Sequence, residues 1–517
     1  MDYRACRSGM LGGFDRQDIH EQKINNRKAR IMASMTRADF LRYSGLLSAG
    51  IAGSTVHGSF QNALASAEKK RKPNVIFIFC DDLGWADLPC HGHRSVKAHG
   101  GWIVRDELKM PSLDRMANEG TIFTQFYVAS AVCSPSRTGI MTGQFPSRLG
   151  IHDYLARPNL NKERGMPDYV DPDVPTVTQI LKNSGYSTGH FGKWHLSGGG
   201  VEDAPSPEAY GIDTYDDCRK GPGGRPGSSE KIADETIAFI ESHHDKPFYI
   251  NAWLYDPHSP LRPTEEHLAP YEKLSPNYGD QKGALQIWYA VLTNIDRQVG
   301  RILDKLDELG LSEDTIVIFS SDNGPESGLM SFTSHYGGAS STNTGPFRGI
   351  KRSLYEGGIR EPFIVRWPGS TPSGKVDSST VIGGTDFLPT ICGIAGAGLP
   401  DGMAFDGEDL SMALKGTACE KSKPLMWENR FPVYGHVIHK SPMLAIRYGK
   451  WKLLMNPDRS RVELYDIPKD PTELDNLADH HPEVVERLSK RLLEWQATLP
   501  DGPVHKDAGA NGYPWPE

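Results

Sequence analysis

The sequence predicts an α/β fold, with a large, mostly parallel sheet sandwiched by helices and a smaller C-terminal α+β domain on an antiparallel sheet. Apolar runs typical of strands alternate with amphipathic helical stretches from residue 73 onward. The run 75–79 is continuously apolar, as expected for a strand buried on both faces. Beyond residue 440, short strand-like runs precede one helix, which is the order typical of a separate antiparallel sheet.

The elements of the large domain follow from local signals taken in chain order. Helices are predicted at 111–119 and 175–184, because each stretch begins at a proline and ends next to a glycine. Further strands are predicted at 186–191, 248–254 and 315–319. A long amphipathic helix is predicted from apolar residues at three- and four-residue steps: Ile287, Val291, Ile295, Val299, Ile302, Leu306 and Leu309. Two Gly/Ser-rich stretches, 221–229 and 331–346, predict surface loops.

The C-terminal part has a different pattern of elements. Strands are predicted at 443–447, 451–455 and 462–465, and a closing helix at 482–496. We therefore divide the chain into an N-terminal extension with signal peptide (1–67), a main domain (68–400) and a C-terminal subdomain (401–517).

Composition excludes several classes of protein. A chain of 517 residues is too long for one ordinary hydrophobic core. The formal net charge of −8 disfavours nucleic acid or anionic lipid as a bulk partner. Seven cysteines are too few for a disulfide scaffold, and the odd number leaves at least one thiol without an intramolecular partner.

The first 67 residues predict export. A mildly apolar run at 43–53 follows basic residues and precedes small residues at 63–67, which is the pattern of a secretory signal peptide. The run is too short to span a bilayer, and we expect a secreted or periplasmic protein without a membrane span. A disordered extension without a targeting role is the alternative.

Four polar clusters each follow a predicted strand: Asp81-Asp82, Lys193-Trp194-His195, Asp256-Pro257-His258 and Asp322-Asn323. Ligands of open α/β sheets bind at the carboxyl ends of strands, so four such clusters favour a site. Any one of them alone is more typical of a helix cap or a turn. The hard oxygen ligands suit Ca²⁺ or Mg²⁺, and the sequence has no Cys/His spacing typical of closed zinc sites.

A fifth cluster is Cys133-Ser-Pro135-Ser-Arg137-Thr-Gly139. Pro135 suits the first turn of a helix, which would place Cys133 beside a helix N-terminus, where anions are stabilised. Arg137 would add a positive charge one turn later. Cys133 is therefore either an activated nucleophile or a buried structural cysteine.

These motifs resemble the type I, formylglycine-dependent sulfatases of the alkaline phosphatase superfamily. Cys133-x-Pro135-x-Arg137 with the trailing Thr-Gly is similar to the maturation signature of that family. Other family blocks match in order over about residues 73–498: Asp81-Asp82-Leu83-Gly84, Gly192-Lys193-Trp194-His195, Pro257-His258, Ser321-Asp322-Asn323-Gly324, Lys351 with Tyr355-Glu356-Gly357-Gly358, and Trp451-Lys452-Leu453. The sequence looks most like the arylsulfatase A and N-acetylgalactosamine-6-sulfatase branches.

The resemblance implies an alkaline phosphatase-like catalytic domain that hydrolyses sulfate esters during degradation of sulfated polysaccharides, with galactose or N-acetylgalactosamine sulfate as substrate. It implies that a maturation enzyme converts Cys133 to formylglycine, whose hydrate attacks sulfur. The implied metal, Ca²⁺ in preference to Mg²⁺, would be bound by Asp81, Asp82, Cys133, Asp322 and Asn323. The implied catalytic residues are Cys133, Arg137, Lys193, His195, His258 and Lys351.

Each catalytic residue has an implied role. Lys193 and Lys351 would hold sulfate oxygens, His258 together with Lys351 would protonate the leaving alcohol, and His195 would accept the proton whose loss releases sulfate. Arg137 and the metal would lower the pKa of the attacking hydroxyl. We expect specificity to lie in the loops 91–104, 154–173 and 331–344. Four residues are considered for the wall of the substrate pocket, with an ordinary surface position as the alternative for each: Trp102, Tyr154, His335 and Arg430.

Two alternatives remain at this point. One is a phosphonate or phosphodiester hydrolase of the same superfamily, some members of which share the modified cysteine. The other is a non-catalytic glycan-binding protein on a sulfatase scaffold. The cysteine signature and the absence of zinc-binding histidines disfavour ordinary phosphatases, and the retained polar groups disfavour a non-catalytic protein.

Overall fold

The computed structural model describes residues 71–91, 107–219, 227–274, 283–326 and 344–510. Strands of the described ranges are β1 (Asn74–Cys80), β2 (Thr121–Tyr127), β3 (Ser187–Gly192), β4 (Thr214–Asp216), β5 (Phe248–Trp253), β6 (Thr315–Ser321), β7 (Arg360–Arg366), β8 (Lys375–Asp377), β9 (Ile382–Gly383), β10 (Leu425–Glu428), β11 (Leu444–Tyr448), β12 (Trp451–Met455) and β13 (Glu463–Asp466). The helices there are α1 (Pro111–Glu119), α2 (Cys133–Thr142), α3 (Pro158–Glu163), α4 (Val177–Asn183), α5 (Ser228–His243), α6 (Glu265–Leu268), α7 (Ala284–Glu308), α8 (Glu356–Ile359), α9 (Phe387–Ala395), α10 (Ser411–Leu414) and α11 (Pro482–Gln496).

The large sheet is mixed but mostly parallel. Its strand order within the described residues is β4-β3-β5-β1-β6-β7-β2-β8, and β9 also pairs with β2. β3, β5, β1 and β6 are neighbouring parallel strands, whereas β7 runs antiparallel to both β6 and β2. The predicted α/β class with a mostly parallel sheet is therefore confirmed.

Strand β1 shows why its sequence is continuously apolar. Val75, Phe77 and Phe79 pack into one hydrophobic cluster, and the alternate residues Ile76 and Ile78 pack into another. Because successive side chains of a strand point to opposite faces, a strand covered on both sides needs apolar residues at every position. The long helix α7 contributes Ile287, Val291, Ile295 and Val299 to the second cluster, as its three- and four-residue spacing predicted.

Strands β2 and β7 were not predicted from the sequence. Both are fully buried, but they contain polar side chains that interrupt an apolar pattern, such as Gln125 in β2 and Glu361 in β7. The loop predicted at 221–229 is wrong at its end, because Ser228 and Ser229 begin α5. The hydroxyl of Ser229 donates to Asp256 Oδ2 at 2.5 Å, a tertiary contact that local composition does not reveal.

The predicted small antiparallel sheet is confirmed, with strand order β10-β11-β12-β13 and α11 packed on it. Leu425, Trp427 and Leu454 of this sheet share a hydrophobic cluster with Phe126 and Tyr127 of β2. The division of the chain at residue 400 stays a prediction. The predicted signal peptide (1–67) lies outside the described residues, among which no helix is long and apolar enough to cross a membrane.

A buried ion network joins the small sheet to the large one. Lys452 of β12 donates to Glu356 Oε1 at 2.9 Å and lies 2.9 Å from Glu473 Oε1, and all three residues are fully buried. Glu356 Oε2 also accepts from the hydroxyl of Tyr127 at 2.7 Å and from Arg360 at 3.1 Å. Burial opposes the charged form of Glu356, but Lys452 and Arg360 hold its pKa below the usual value.

We expect Lys452→Ala to destabilise the protein by about 3–5 kcal/mol, because it would leave the carboxylate of Glu473 buried without its lysine and Glu356 with Arg360 as its remaining ion-pair partner. Urea denaturation measures the loss. The control is Lys490→Ala, which removes a solvent-exposed pair with Glu494 and should cost less than about 1 kcal/mol. Equal costs for the two variants would contradict a structural role of the buried network.

Candidate active site

The clusters predicted at strand ends converge at one edge of the large sheet. Asp81 and Asp82 follow β1, Asp322 and Asn323 follow β6, and Lys193 follows β3. Since β3, β5, β1 and β6 are adjacent and parallel, their carboxyl ends meet there. The backbone N–H of Asp322 donates to Cys80 O at 3.1 Å, which fixes the ends of β1 and β6 against each other.

Arg137 and Asp322 form a fully buried ion pair at the centre of this edge. Nη2 and Nε of Arg137 donate to Asp322 Oδ2 at 2.6 and 3.0 Å. Nη1 donates to the Lys193 carbonyl at 3.2 Å, and the guanidinium lies over the rings of Phe79 and Trp253 at 5.4 and 5.0 Å. The pair thus links α2, β6 and the segment after β3.

Two lysines pair with the aspartates that follow β1. Lys193 Nζ donates to Asp81 Oδ2 at 2.6 Å, and Lys351 Nζ donates to Asp82 Oδ1 at 2.5 Å. Burial opposes the charged form of Asp81, yet Lys193, His258 and Arg137 hold its pKa well below the usual value. Asp82 has a positive φ of 67°, so its side chain turns away from the line of the strand.

Cys133 is the first residue of α2, as the proline two positions later predicted. Its Sγ and carboxylate oxygens of Asp81 and Asp322 all lie within 4.8 Å of one another. Ser134 Oγ accepts from the backbone N–H of Leu155 at 2.9 Å. The side chain of Cys133 is buried at a helix N-terminus, where a developing negative charge is stabilised.

The residues at this edge fit a hard divalent cation. Three buried oxygen atoms lack a hydrogen-bond partner among the described residues: Asp81 Oδ1, Asp82 Oδ2 and Asn323 Oδ1. Burial and the charge of Asp81 raise the pKa of Asp322 to about 8, because carboxylates are crowded away from water. Carboxylate and amide oxygens are ligands that Ca²⁺ and Mg²⁺ prefer.

Two histidines, His195 and His258, flank the cluster, and the pKa of each is lowered. His195 Nε2 lies 3.1 Å from the Leu155 carbonyl, so this nitrogen carries the hydrogen and Nδ1 is the acceptor. Nδ1 is buried and has no hydrogen-bond partner among the described residues. Burial and Lys193 lower the pKa of His195 well below 6.5. His258 Nε2 lies 3.7 Å from Asp82 Oδ2, and burial lowers the pKa of His258 to about 4.

The structure thus brings together all of the residues predicted for the catalytic and metal sites. Of the four residues considered for the pocket wall, Tyr154 lines a cavity, whereas Arg430 is buried and donates to Glu428 Oε2 and to the Pro500 carbonyl. Trp102 and His335 lie outside the described residues. Sequence analysis missed Asp153 and Arg352, which line the same cavity. The sequence signal that could have found them is that each adjoins a residue that was predicted, Tyr154 or Lys351.

Comparisons with known protein families identify sulfatases over most of the chain. The sulfatase family model matches residues 73–397, which include the whole converging edge up to Lys351. A second model, described as N-sulphoglucosamine sulphohydrolase, C-terminal, matches residues 348–498.

Characterised relatives and solved structures agree with these matches. Human arylsulfatase A is 30% identical, over 82% of this chain and 87% of that protein. The N-acetylgalactosamine-6-O-sulfatase of Bacteroides thetaiotaomicron is 28% identical, over 83% of this chain and 94% of that protein. A structure of Ps i-CgsB in complex with a neocarrahexaose superposes with a TM-score of 0.67 and 24% identity, over 85% of this chain and 97% of that one, and so supports the fold.

The fold and the converging polar residues are consistent with the family that these comparisons identify. The four-stranded sheet and α11 lie within the second matched region, and the nine-stranded sheet of the described residues lies within the first. The matched relative at 30% identity covers more than two thirds of the chain. The chain therefore belongs to the sulfatase family and is a sulfuric ester hydrolase.

Proposed function

We propose that this sulfatase removes sulfate from a saccharide that carries galactose or N-acetylgalactosamine sulfate, through formylglycine made from Cys133 and with the help of Ca²⁺. The observation that carries the proposal is the position of Cys133, buried at the start of α2 with its Sγ beside the carboxylates of Asp81 and Asp322. The substrate class is supported by relatives named N-acetylgalactosamine-6-sulfatase, from mouse among others.

Five residues would hold the metal: Asp81, Asp82, Asp322, Asn323 and the converted Cys133. The unpartnered oxygens of Asp81, Asp82 and Asn323 support this set. A bound Ca²⁺ would supply Lewis-acid stabilisation of negative charge on sulfate and on the attacking group. Mg²⁺ is the less suitable ion, because five protein ligands leave few positions for the waters that it usually retains.

Formylglycine at position 133 would supply a hydrate whose hydroxyl attacks sulfur. Arg137 lowers the cost of deprotonating that hydroxyl, because its buried positive charge lies next to the start of α2. Asp322, which lies within 4.8 Å of Cys133 Sγ, could accept the proton, although a bound metal would limit its basicity. Position 133 is therefore activated by the same ion pair that joins α2 to β6.

Lys193 and Lys351 are positioned to bind sulfate oxygens. Each ammonium group is nearly buried and directed at an aspartate of the predicted metal set, at 2.6 and 2.5 Å. Positive groups in a water-poor site stabilise charge that grows on sulfate oxygens in the transition state. These lysines would therefore bind the sulfate group, while the rest of the substrate lies outside.

Two histidines would handle the protons. His258 would protonate the leaving alcohol oxygen, since it lies at the rim of the cluster with about 30% of its side chain exposed. The negative charge of a bound sulfate ester would raise its pKa towards the working pH. His195, neutral and with Nδ1 as its acceptor, would take the second hydroxyl proton and so release sulfate.

Export and maturation complete the proposal. The signal-peptide pattern within residues 1–67 supports a secreted or periplasmic protein, and the Cys133 motif requires a formylglycine-generating or equivalent enzyme. We propose that the partners of this protein are a sulfated saccharide and this maturation enzyme, and that the protein does not bind nucleic acid. A phosphonate or phosphodiester hydrolase remains the alternative that a substrate panel excludes.

We expect the peptide that contains Cys133 to carry formylglycine when the protein is made with a maturation system, as measured by mass spectrometry. Cys133→Ala should lower sulfate release from 4-nitrophenyl sulfate at least about 10³-fold, because the nucleophile is lost. The control Cys419→Ala, at a partly exposed cysteine outside the site, should keep full activity.

An active enzyme whose Cys133 is entirely unmodified would contradict the mechanism. Faster release of 4-nitrophenol from bis(4-nitrophenyl) phosphate than from 4-nitrophenyl sulfate would instead favour the phosphodiester hydrolase alternative. Circular dichroism of Cys133→Ala should match the parent protein, since the substitution removes one small buried side chain.

We expect Ca²⁺ to raise the melting temperature of protein pretreated with a chelator. At about 100 times its Kd, Ca²⁺ should stabilise the folded state by about 2.7 kcal/mol. Asp82→Asn should shrink this shift, because one charged ligand is lost. Asp406→Asn is the matched control, since Asp406 is a largely buried carboxylate bound to Arg148 outside the site. Equal shifts in the two variants would contradict the proposed ligand set.

A further inference from the structure

A cavity of about 390 Å³ lies where the edge of the large sheet at β8 meets the turn from β11 to β12. Gln125 of β2, Ser378 after β8, and Arg447 and Tyr448 of β11 are among the residues that line it. In the strand order β8 comes three places after β6, which at about 4.8 Å per strand is roughly 14 Å across the sheet. The cavity shares no residue with the catalytic cluster and has no role in the chemistry derived so far.

Arg447 is the buried cation of this cavity, with only 3% of its surface exposed. Its Nη1 donates to the Gly449 carbonyl, and its Nη2 donates to Gln125 Oε1 at 3.2 Å. Its Nε is buried and has no hydrogen-bond partner among the described residues. Neither acceptor carries a charge, and most of the N–H donors of the guanidinium remain unused.

The positive charge of Arg447 has no carboxylate of its own. Within the described ranges Arg447 forms no ion pair. Burial opposes the charged form of Glu356, and Arg447 is one of the cations that lower the pKa of this carboxyl. Glu356, however, is already bonded to Lys452 and Arg360. Since a buried charge without a partner is costly, this wall of the cavity would be stabilised by a bound anion.

The other charged residues of the lining are three lysines and one carboxylate: Lys421, Lys423, Lys450 and Glu420. Lys421 and Lys450 are paired with carboxylates that do not line the cavity. Lys423 donates to two backbone carbonyls at 2.8 Å and forms no ion pair in the part of the chain that the structure describes. Four cations and one carboxylate thus line the cavity, and two of the cations, Arg447 and Lys423, are not neutralised.

The rest of the lining suits a sugar ring that carries the anion. The volume lies in the range of pockets that bind small organic ligands and is larger than a single tetrahedral anion needs. Ser378 offers an exposed hydroxyl, while Tyr448 and Pro468 contribute apolar surface. A pyranose ring has apolar C–H faces and a polar edge, so it can pack on such a surface and hydrogen-bond at the same time.

We propose that this cavity is a second anion site, which binds a sulfate ester carried on a sugar ring outside the catalytic cluster. Arg447 donates to two terminal oxygens of the sulfate group, as guanidinium groups do to planar or tetrahedral oxyanions, and Lys423 adds a second positive charge. The anion part of the inference stands on the cavity alone, whereas the saccharide part rests on the proposed function. The site retains a sulfated unit of the saccharide at the enzyme and takes no part in hydrolysis.

The test measures binding in the absence of turnover. Cys133→Ala protein loaded with Ca²⁺ is titrated in a calorimeter with N-acetylgalactosamine 6-sulfate, N-acetylgalactosamine and sodium sulfate. We expect the sugar sulfate to bind at two sites, the catalytic cluster and the cavity. At the cavity the uncharged sugar and free sulfate should each bind at least about tenfold more weakly, because each lacks one half of the contacts.

Ser378→Glu and Ser378→Gln form a matched pair of variants, made in the same Cys133→Ala protein. Ser378 is exposed, so both should fold. The carboxylate should weaken binding at the cavity at least about tenfold by repelling the sulfate group, whereas the amide of the same size should not. With Cys133 intact and converted, both variants should keep the parent kcat/KM for 4-nitrophenyl sulfate, because the cavity lies outside the reaction.

Arg447→Gln is the second probe, and it should lower the affinity of the cavity about tenfold or more, because it removes the buried guanidinium. The control is Lys490→Gln, at an exposed lysine outside the cavity, which should leave both sites unchanged. Equal affinities in Ser378→Glu and Ser378→Gln, with Arg447→Gln also unchanged, would overturn the inference. Free sulfate that binds the cavity as tightly as the sugar sulfate would overturn the saccharide as its occupant.

A further variant, Lys193→Ala, separates this inference from the proposed function. Binding at a single site, which is lost in Lys193→Ala and indifferent to Ser378→Glu, would overturn the second site and leave the proposed function intact. Binding that depends on Ser378 and Arg447 in a protein that releases no sulfate from any sugar sulfate would support the anion site and overturn the proposed function.

Discussion

The buried pairing of carboxylates with cations at the carboxyl edge of the large sheet is the interaction on which the rest of the structure depends. Arg137 and Asp322 are both fully buried, and neither could stay charged there alone. Lys193 and Lys351 neutralise Asp81 and Asp82 in the same way. Four parallel strands must end side by side for these groups to meet, so the topology of the sheet and the chemistry of the site impose the same constraint.

The small sheet contributes a further buried ion pair, next to the loop that carries Lys351. Its residue Lys452 is buried against Glu356, which lies five residues after Lys351 and also binds Tyr127 and Arg360. A buried charge pair adds little stability compared with apolar packing, but it specifies one arrangement, because a displaced partner would leave a charge unpaired. The C-terminal sheet therefore helps to hold the loop that carries Lys351 in place while remaining outside the cluster at the edge of the large sheet.

Local sequence patterns predicted the strands and helices in which each face is buried or exposed along its whole length. β1 is apolar at every position because both of its faces are covered, and α7 has a helical apolar stripe because one face is covered. β2 and β7 escaped prediction because Gln125, Arg360 and Glu361 are polar residues inside buried strands, and the partners of Gln125 and Arg360 lie far away in the chain. The residues that converge at the edge of the sheet were predictable because most of them follow a strand or stand in the Cys133 motif, whereas Lys351 was named only through the family resemblance. The cavity beside Tyr154 was not predictable, since Asp153, Arg352 and Tyr434 belong to three distant segments.

The sequence by itself determined the fold class, the family and the residues that meet at the edge of the large sheet. Short-range signals carry this information, because strand ends, helix starts and a cysteine motif are each contained in a few neighbouring residues. Only the tertiary structure decided which lysine pairs with which aspartate, where α2 presents Cys133, and which rings surround the cavity beside Tyr154. Contacts between residues up to 269 positions apart decide these features, and no local pattern encodes the partner of a buried charge or the far wall of a pocket.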